Sequence, residues 1–202
     1  MNVNKKFRNK YRVESIRLKN YDYSANGVYF ITICTKNRKN FFGKIVGGKM
    51  VYSPIGVMAK KYWQQIIYHF NFVLLDEFII MPDHVHGIIW VNKSYMDNIK
   101  NVNQNQNVWV ETRHGASLQM FLPHKILLPK QTSSPQIQGN KFGKLKNDSL
   151  QSIINHYKGA VKHYANKNNI PFFWQKRYYE HIINNYHALN RIRRYIKNNP
   201  LF

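Results

Sequence analysis

The chain has 202 residues, 44% hydrophobic and 15% aromatic, which is enough to bury the core of a single domain and excludes wholesale disorder. Lys and Arg number 31 against 9 Asp and Glu, a formal net charge of +22, so a polyanion is the expected partner, nucleic acid ahead of an anionic membrane surface. No run approaches the ~20 apolar residues of a spanning helix, the basic start lacks the apolar segment of a secretory signal, and Cys34, the one cysteine, rules out an intramolecular disulfide or a CxxC zinc site. These features predict a cytoplasmic, bacterial-type protein, nucleoid-associated when on DNA, with no membrane contact.

Residues 1–27 are polar and basic and read as an N-terminal arm, leaving 28–202 as one domain. From Gly27 the run VYFITICTK is apolar on both alternating faces: Val28, Phe30, Thr32 and Cys34 on one, Tyr29, Ile31 and Ile33 on the other. That pattern predicts a central strand covered on both sides. Residues 41–52 predict a hairpin turning at Gly47-Gly48. Ser53 as N-cap and Pro54 at the first helical position open a helix carrying Ile55, Met58, Tyr62, Ile66 and Phe70 at helical spacing. Two strands, 72–81 and 84–92, flank the turn pair Pro82-Asp83.

The stretch 93–148 is rich in Asn, Gln, Lys and Ser and reads as a long loop or insertion. Asp148-Ser149 is a cap signal for a helix over 149–167, whose stripe is Leu150, Ile153, Ile154, Tyr157, Val161 and Tyr164. A dense aromatic-basic cluster follows Pro171. The last helix, 186–198, has Leu189, Ile192, Tyr195 and Ile196 on one side and Arg191, Arg193, Arg194 and Lys197 elsewhere. This order predicts an α+β fold, an antiparallel sheet with helices on one face, ferredoxin-like in its simplest specific form.

The sharpest local pattern is MPDHVHGIIW. His84 and His86 are two apart on a strand, so both point to one face and Val85 to the other. Two imidazoles so placed can bind one divalent metal. Taken alone, such a pair reads first as two satisfied polar residues of a half-buried strand. The apolar flanks favour a metal, because burying two unpaired imidazoles is costly. Asp83 is a plain turn residue or the group that orients one ligand. On the last helix Tyr195 is readable as a core aromatic. Asn199, four residues on, shares its face, as a helix C-cap before Pro200 or as an amide donor to the same metal.

Taken in order, His84-Val85-His86 behind an apolar strand, then WQKRYYEHIINN, then YIKNNP, resemble the REP-associated tyrosine transposases, relatives of the insertion-sequence single-tyrosine transposases within the HUH endonuclease superfamily. GVYFITICTKNRKNFFG and SLQSIINHYKGAVKHY resemble their first strand with its hairpin and their middle helix, so the resemblance spans roughly 20–92 and 149–200. It implies a ferredoxin-like catalytic domain of HUH type that cleaves and rejoins single-stranded DNA beside hairpins of repetitive palindromic elements. By the same resemblance Tyr195 is the nucleophile forming a 5′-phosphotyrosine, His84 and His86 are metal ligands, and Asn199 is a third. The resemblance implies Mg2+ or Mn2+ as the metal. Imidazole ligands suit manganese better, since magnesium prefers oxygen.

Lys36, Arg38, Lys39, Lys176, Arg177, Arg191, Arg193 and Arg194 are the candidate phosphate contacts, each also readable as a solvated surface charge. Trp174, Tyr178 and Tyr179 are candidate platforms for unpaired bases, or core aromatics. A non-catalytic, domesticated nucleic-acid-binding module is the competing function. A water-activating hydrolase ranks last, because no paired-carboxylate pattern exists, and a zinc deaminase lacks its Cys-x-x-Cys half. Both monomer and dimer remain compatible with the sequence.

Overall fold

The computed structural model describes residues 21–93 and 146–199, together with the backbone of two short paired strands in the arm, Lys6–Phe7 (β1) and Lys10–Tyr11 (β2). The domain proper begins with strand β3, Gly27–Cys34, followed by a 3-10 turn at Lys36–Arg38 and the hairpin β4, Gly43–Val46, and β5, Lys49–Tyr52. Gly47 and Gly48 both have positive φ, 55° and 71°, as a two-residue hairpin turn of this hand requires. Helix α1, Pro54–Gln64, starts where the cap signal put it: Ser53 Oγ accepts from the Gly56 amide. The single helix expected to Phe70 is broken at Gln65, and α2, Ile66–His69, continues separately.

Strands β6, Val73–Ile80, and β7, His84–Val91, form the next hairpin. Helix α3, Leu150–Lys167, is capped by Ser149, whose Oγ accepts from the Ser152 amide. Strand β8, Tyr179–Ile182, then leads into helix α4, Tyr186–Asn198, capped by Asn185. The predicted insertion lies outside the described residues except at its ends, where Lys93 pairs with Asp148.

The main sheet has the order β6-β7-β3-β8, every neighbour antiparallel. Counting only these strands and α1, α3, the chain runs β-α-β-β-α-β, which is the ferredoxin-like connectivity. The fourth strand is a correction to the sequence reading, which left residues 179–182 inside an aromatic-basic cluster. The second correction concerns the layers. Helices α1 and α3 cover one face, where Tyr29, Ile31, Ile33, Val85 and Ile89 pack with Trp63, Ile154, Tyr157 and Val161. Helix α4 covers the other, where Val28, Ile88 and Trp90 meet Ile183, Leu189 and Ile196. The helices therefore sit on both faces. The doubly apolar β3 needs this, since a strand apolar on each side leaves one side in water if only one is covered.

Tyr21 and Tyr23, at the end of the predicted arm, pack on the α1–α3 side, and Tyr21 Oη lies 3.2 Å from Tyr29 Oη. Gly87 is fixed by packing rather than backbone angle: a Cβ there would come within 2.2 Å of the Trp63 ring, so glycine lets the indole lie flat on β7.

Candidate active site

The register of the sheet assembles the site. Thr32 of β3 lies opposite His86 of β7 and Tyr179 of β8, and Cys34 lies opposite His84. Directly opposed residues share a face, so these side chains all lie on the side covered by α4. Val85 faces the other core, as the two-residue alternation demands.

His86 is buried, 6% exposed, and every edge of its ring is engaged. Nδ1 is 2.9 Å from Thr32 Oγ1, and Nε2 is 3.1 Å from the hydroxyl of Tyr195. The Phe30 ring stacks on it with centroids 5.3 Å apart. Phe30 also meets the Tyr195 ring edge-on at 6.2 Å. Burial, with the neighbouring His84 and Arg38 adding repulsion, pushes the His86 imidazolium pKa down to about 3, so this ring is neutral at physiological pH. His84 lies next to it, ring centroids 4.4 Å apart, and its pKa is also lowered by burial, opposed by Asp83.

Asp83 has a definite task in the turn. Its Oδ1 is 2.6 Å from His84 Nδ1, its Oδ2 takes Arg38 Nε at 2.7 Å, and its backbone carbonyl accepts from both the amide and the hydroxyl of Thr35. The carboxylate thus orients His84 with Nε2 directed away from the turn. Arg38 donates as well to Cys34 Sγ at 2.9 Å. Asn37 and Arg38 both hold positive φ, 56° and 54°, which costs a bulky residue such as Arg roughly 1–2 kcal/mol, and the Arg38–Asp83 pair offsets that strain.

The tyrosine helix is anchored by a feature the sequence did not announce. The register of β6 shifts between Leu75 and Phe78, a bulge that turns Asp76 and Glu77 toward α4. Asp76, its side chain 4% exposed, takes a forked pair from Arg193 (Nε at 2.9 Å, Nη2 at 2.5 Å) and the Trp90 indole N–H at 3.0 Å. Lys197 pairs with Glu77 at 3.0 Å. Two residues beyond Arg193 on α4, Tyr195 stays half exposed while its hydroxyl reaches His86.

The structure therefore brings His84, His86 and Tyr195 together. It sends other predicted residues elsewhere. Arg193 is committed to Asp76, so its expected role as a phosphate contact is replaced by holding α4. Tyr178 is buried in the α1–α3 core, and Trp174 packs against Phe42, Tyr157 and Phe172 with its indole N–H on the Lys158 carbonyl. Both are core aromatics rather than open platforms, because the segment after Pro171 closes the side of that core. Tyr179 stays 51% exposed, in the same sheet row as Thr32 and His86. Lys36, Arg38, Lys39, Lys176, Arg177, Arg191 and Arg194 are all exposed. The Asn199 amide nitrogen donates to the Tyr195 carbonyl at 3.0 Å, a C-terminal cap of α4. Thr32, Phe30 and Asp76 are the site residues that local sequence patterns did not single out.

The donor set fits a divalent metal at its chemistry. Two neutral imidazoles face one side, one backed by a carboxylate, the arrangement that raises a histidine's ligand basicity. Among the described residues no group of three or more His, Cys, Asp or Glu could hold an ion.

An uncharacterized protein of Haemophilus influenzae is 35% identical to the chain over 188 residues, covering 93% of this chain and 87% of that one. The chain belongs to the same family as that protein. No family model matches it. Among solved structures, a REP-associated tyrosine transposase bound to a REP hairpin superposes with a TM-score of 0.51 at 15% identity, over 94% of this chain and 73% of the other. The chain has the fold of that transposase. A crystal structure from Deinococcus radiodurans, named a putative transposase, aligns over 90% of this chain and 97% of its own at 15% identity with a TM-score of 0.38. Among the described residues no helix is long and apolar enough to cross a membrane.

Proposed function

We propose that this protein is a transposase-type enzyme that cleaves and rejoins single-stranded DNA beside hairpins through a covalent bond to Tyr195. The observation that carries the reading is the contact between the half-exposed Tyr195 hydroxyl and Nε2 of a neutral, buried His86. A free tyrosine, with a pKa near ~10, is a weak nucleophile at neutral pH and needs a partner for its proton. In the tautomer with Nδ1–H donating to Thr32, the Nε2 lone pair accepts the hydrogen bond of the hydroxyl and aims it in the metal-free protein; a bound ion would take that same lone pair, and the phenolic proton would then pass to water. Thr32 and Phe30 hold the ring in place, and the Arg193–Asp76 fork holds the helix, so the hydroxyl is positioned before substrate arrives.

In the step proposed, the Tyr195 oxygen attacks a DNA phosphorus and the bond from phosphorus to the 3′ oxygen breaks. The 3′ oxygen leaves with the electron pair and takes up a proton. The DNA keeps its 5′ phosphate on the tyrosine, and return attack by a 3′-hydroxyl rejoins strands with no external energy source. His84 and His86 would hold a magnesium or manganese ion with Asn199 as a third ligand once its amide leaves the Tyr195 carbonyl. Such an ion supplies charge neutralisation at the scissile phosphate. The net charge of +22 supports a DNA substrate, and the hairpin on the transposase of shared fold supports the hairpin as its form.

The test uses labelled single-stranded hairpin oligonucleotides with manganese or magnesium, resolved on a denaturing protein gel. A labelled protein band is expected, absent with Tyr195→Phe, with His84→Ala and with chelator. Free cleaved DNA undiminished in Tyr195→Phe would indicate a hydrolase. Binding without any cleavage would favour the non-catalytic module.

A further inference from the structure

A cavity of about 280 Å³ opens beyond the Cys34 end of β3, between the 3-10 turn and the segment that follows Pro171. Lys36, Asn37, Lys39 and Phe41 form one wall, Pro171 and Phe173 the other. Its size is at the small end of the ~300–1,000 Å³ typical of small-molecule sites, room for one flat group rather than several. The walls are pinned together. The Lys36 amide donates to the Phe173 carbonyl at 2.8 Å, Thr35 and Trp174 form an isolated bridge, and Thr35 Oγ1 holds the Lys39 carbonyl at 2.7 Å.

Its surface chemistry is one-sided. Phe173 is 52% exposed although the neighbouring Phe172 is fully buried, so its ring is not needed by the core. Lys162 Nζ lies 4.2 Å from that ring's centroid and Lys36 Nζ 5.5 Å. Among the described residues no carboxylate lines the cavity. A solvent-exposed aromatic ring with ammonium groups over it suits a flat heteroaromatic group carrying a phosphate, the base taking the ring face as the ammonium groups turn to the phosphate. The turn that lines the cavity is also the one whose Arg38 grips Asp83, and Asp83 orients His84. The cavity is thus joined to the proposed cleavage site through the contacts of Arg38, Asp83 and His84.

We propose that this cavity binds one unpaired nucleotide of the single-stranded DNA, its base stacked on Phe173 and its phosphate set between Lys36 and Lys39. This assignment rests on the DNA-cleaving reading and adds to it a subsite that acts before any bond is broken. An unpaired base fits the cavity because its faces are free. A base inside a duplex is already stacked on both sides and has no face to offer Phe173.

The experiment measures equilibrium binding of a fluorescent single-stranded oligonucleotide, and of the same sequence as a duplex, to the Tyr195→Phe protein at fixed salt. Adding Phe173→Ala is expected to weaken single-strand binding about tenfold, the loss of one base–aromatic stack, and to leave duplex binding within about twofold. Phe173→Trp should restore affinity, and its indole fluorescence should be quenched when single strand is added. Lys36→Ala with Lys39→Ala should weaken binding and lower the salt slope by about two. Unchanged single-strand affinity in Phe173→Ala, or an equal loss for duplex, would overturn the subsite. Because Tyr195 is already removed, the outcome is independent of cleavage: a Phe173-dependent single-strand affinity alongside no covalent adduct in the native protein would retain the subsite and reject the transposase chemistry.

Discussion

The two faces of the central sheet are built from different materials. On the α1–α3 face, α3 alone buries Leu150, Ile153, Ile154, Tyr157, Val161 and Ala165, and the Trp63 indole lies against Gly87 with no gap for a methyl group. On the α4 face, the helix fully buries only Leu189 and Ile196 and is otherwise held by ion pairs to Asp76 and Glu77. Apolar burial, at roughly 25 cal/mol per Å², carries the first face. The second gives up that area to expose Tyr195 and to line the sheet with His84, His86 and Thr32. Stability and chemistry are thus divided between the faces, and the tyrosine helix is the less firmly attached layer.

Substitutions can sharpen or break that division. The largest effect is expected on the apolar face. Trp63→Ala, at a fully buried ring stacked on Phe78 and edge-on to Tyr157, should cost about 3–5 kcal/mol and lower the urea midpoint of the whole domain. Equal loss of protection in α3 and the sheet would show that this face is the global core.

On the other face, Asp76→Asn should cost about 2–3 kcal/mol, less than the ~3–5 of a fully buried pair because Arg193 keeps 28% of its side chain in water. Its signature is local: α4 amides should exchange faster while α3 amides keep their protection. If both helices loosened together, the two faces would be one cooperative unit and the division would fail.

The smallest effect is a pH dependence confined to the site face. In the unfolded chain an imidazole titrates near 6.5, whereas in the fold His86 is pushed down to about 3. Between those values the unfolded chain takes up the proton and the native protein does not, so this contribution is complete above about pH 6.5 and shrinks as pH falls. Between pH 7 and pH 5 the loss should be about 2 kcal/mol. His86→Gln should flatten that part of the curve. A wild-type stability that held level from pH 7 to pH 5 would contradict the buried, neutral ring.

Much of this was legible in the sequence, for reasons that vary by residue. Strand β3 was readable because both of its faces are apolar, and the three helix starts because Ser53, Ser149 and a helical stripe after Asn185 are local signals. Strand β8 was hidden because it is four residues long and alternates exposed with half-buried positions inside a basic, aromatic stretch. The second helical layer followed logically from β3, yet α4 is so rich in Arg and Asn that its short apolar stripe did not declare a sheet partner. Within the site, His84, His86 and Tyr195 stood out by type and order. Thr32 and Phe30 did not, because cross-strand register makes them partners of His86 and register is not a local property. Asp76 needed the β6 bulge to aim it at Arg193, and nothing in the residues around Asp76 signals the bulge. Tyr178 and Tyr179 are adjacent tyrosines with opposite fates, one in the core and one in the open, which composition alone leaves undivided.

The central claim is that one hydroxyl, on Tyr195 against His86, does the chemistry. The most direct measurement is mass spectrometry of the protein after reaction with a single-stranded hairpin substrate and divalent metal, followed by nuclease trimming and proteolysis. The account predicts a nucleotide mass on the single peptide that contains Tyr195, with every other tyrosine unmodified. A nucleotide on any other residue, or DNA cleaved with no modified peptide, would contradict it.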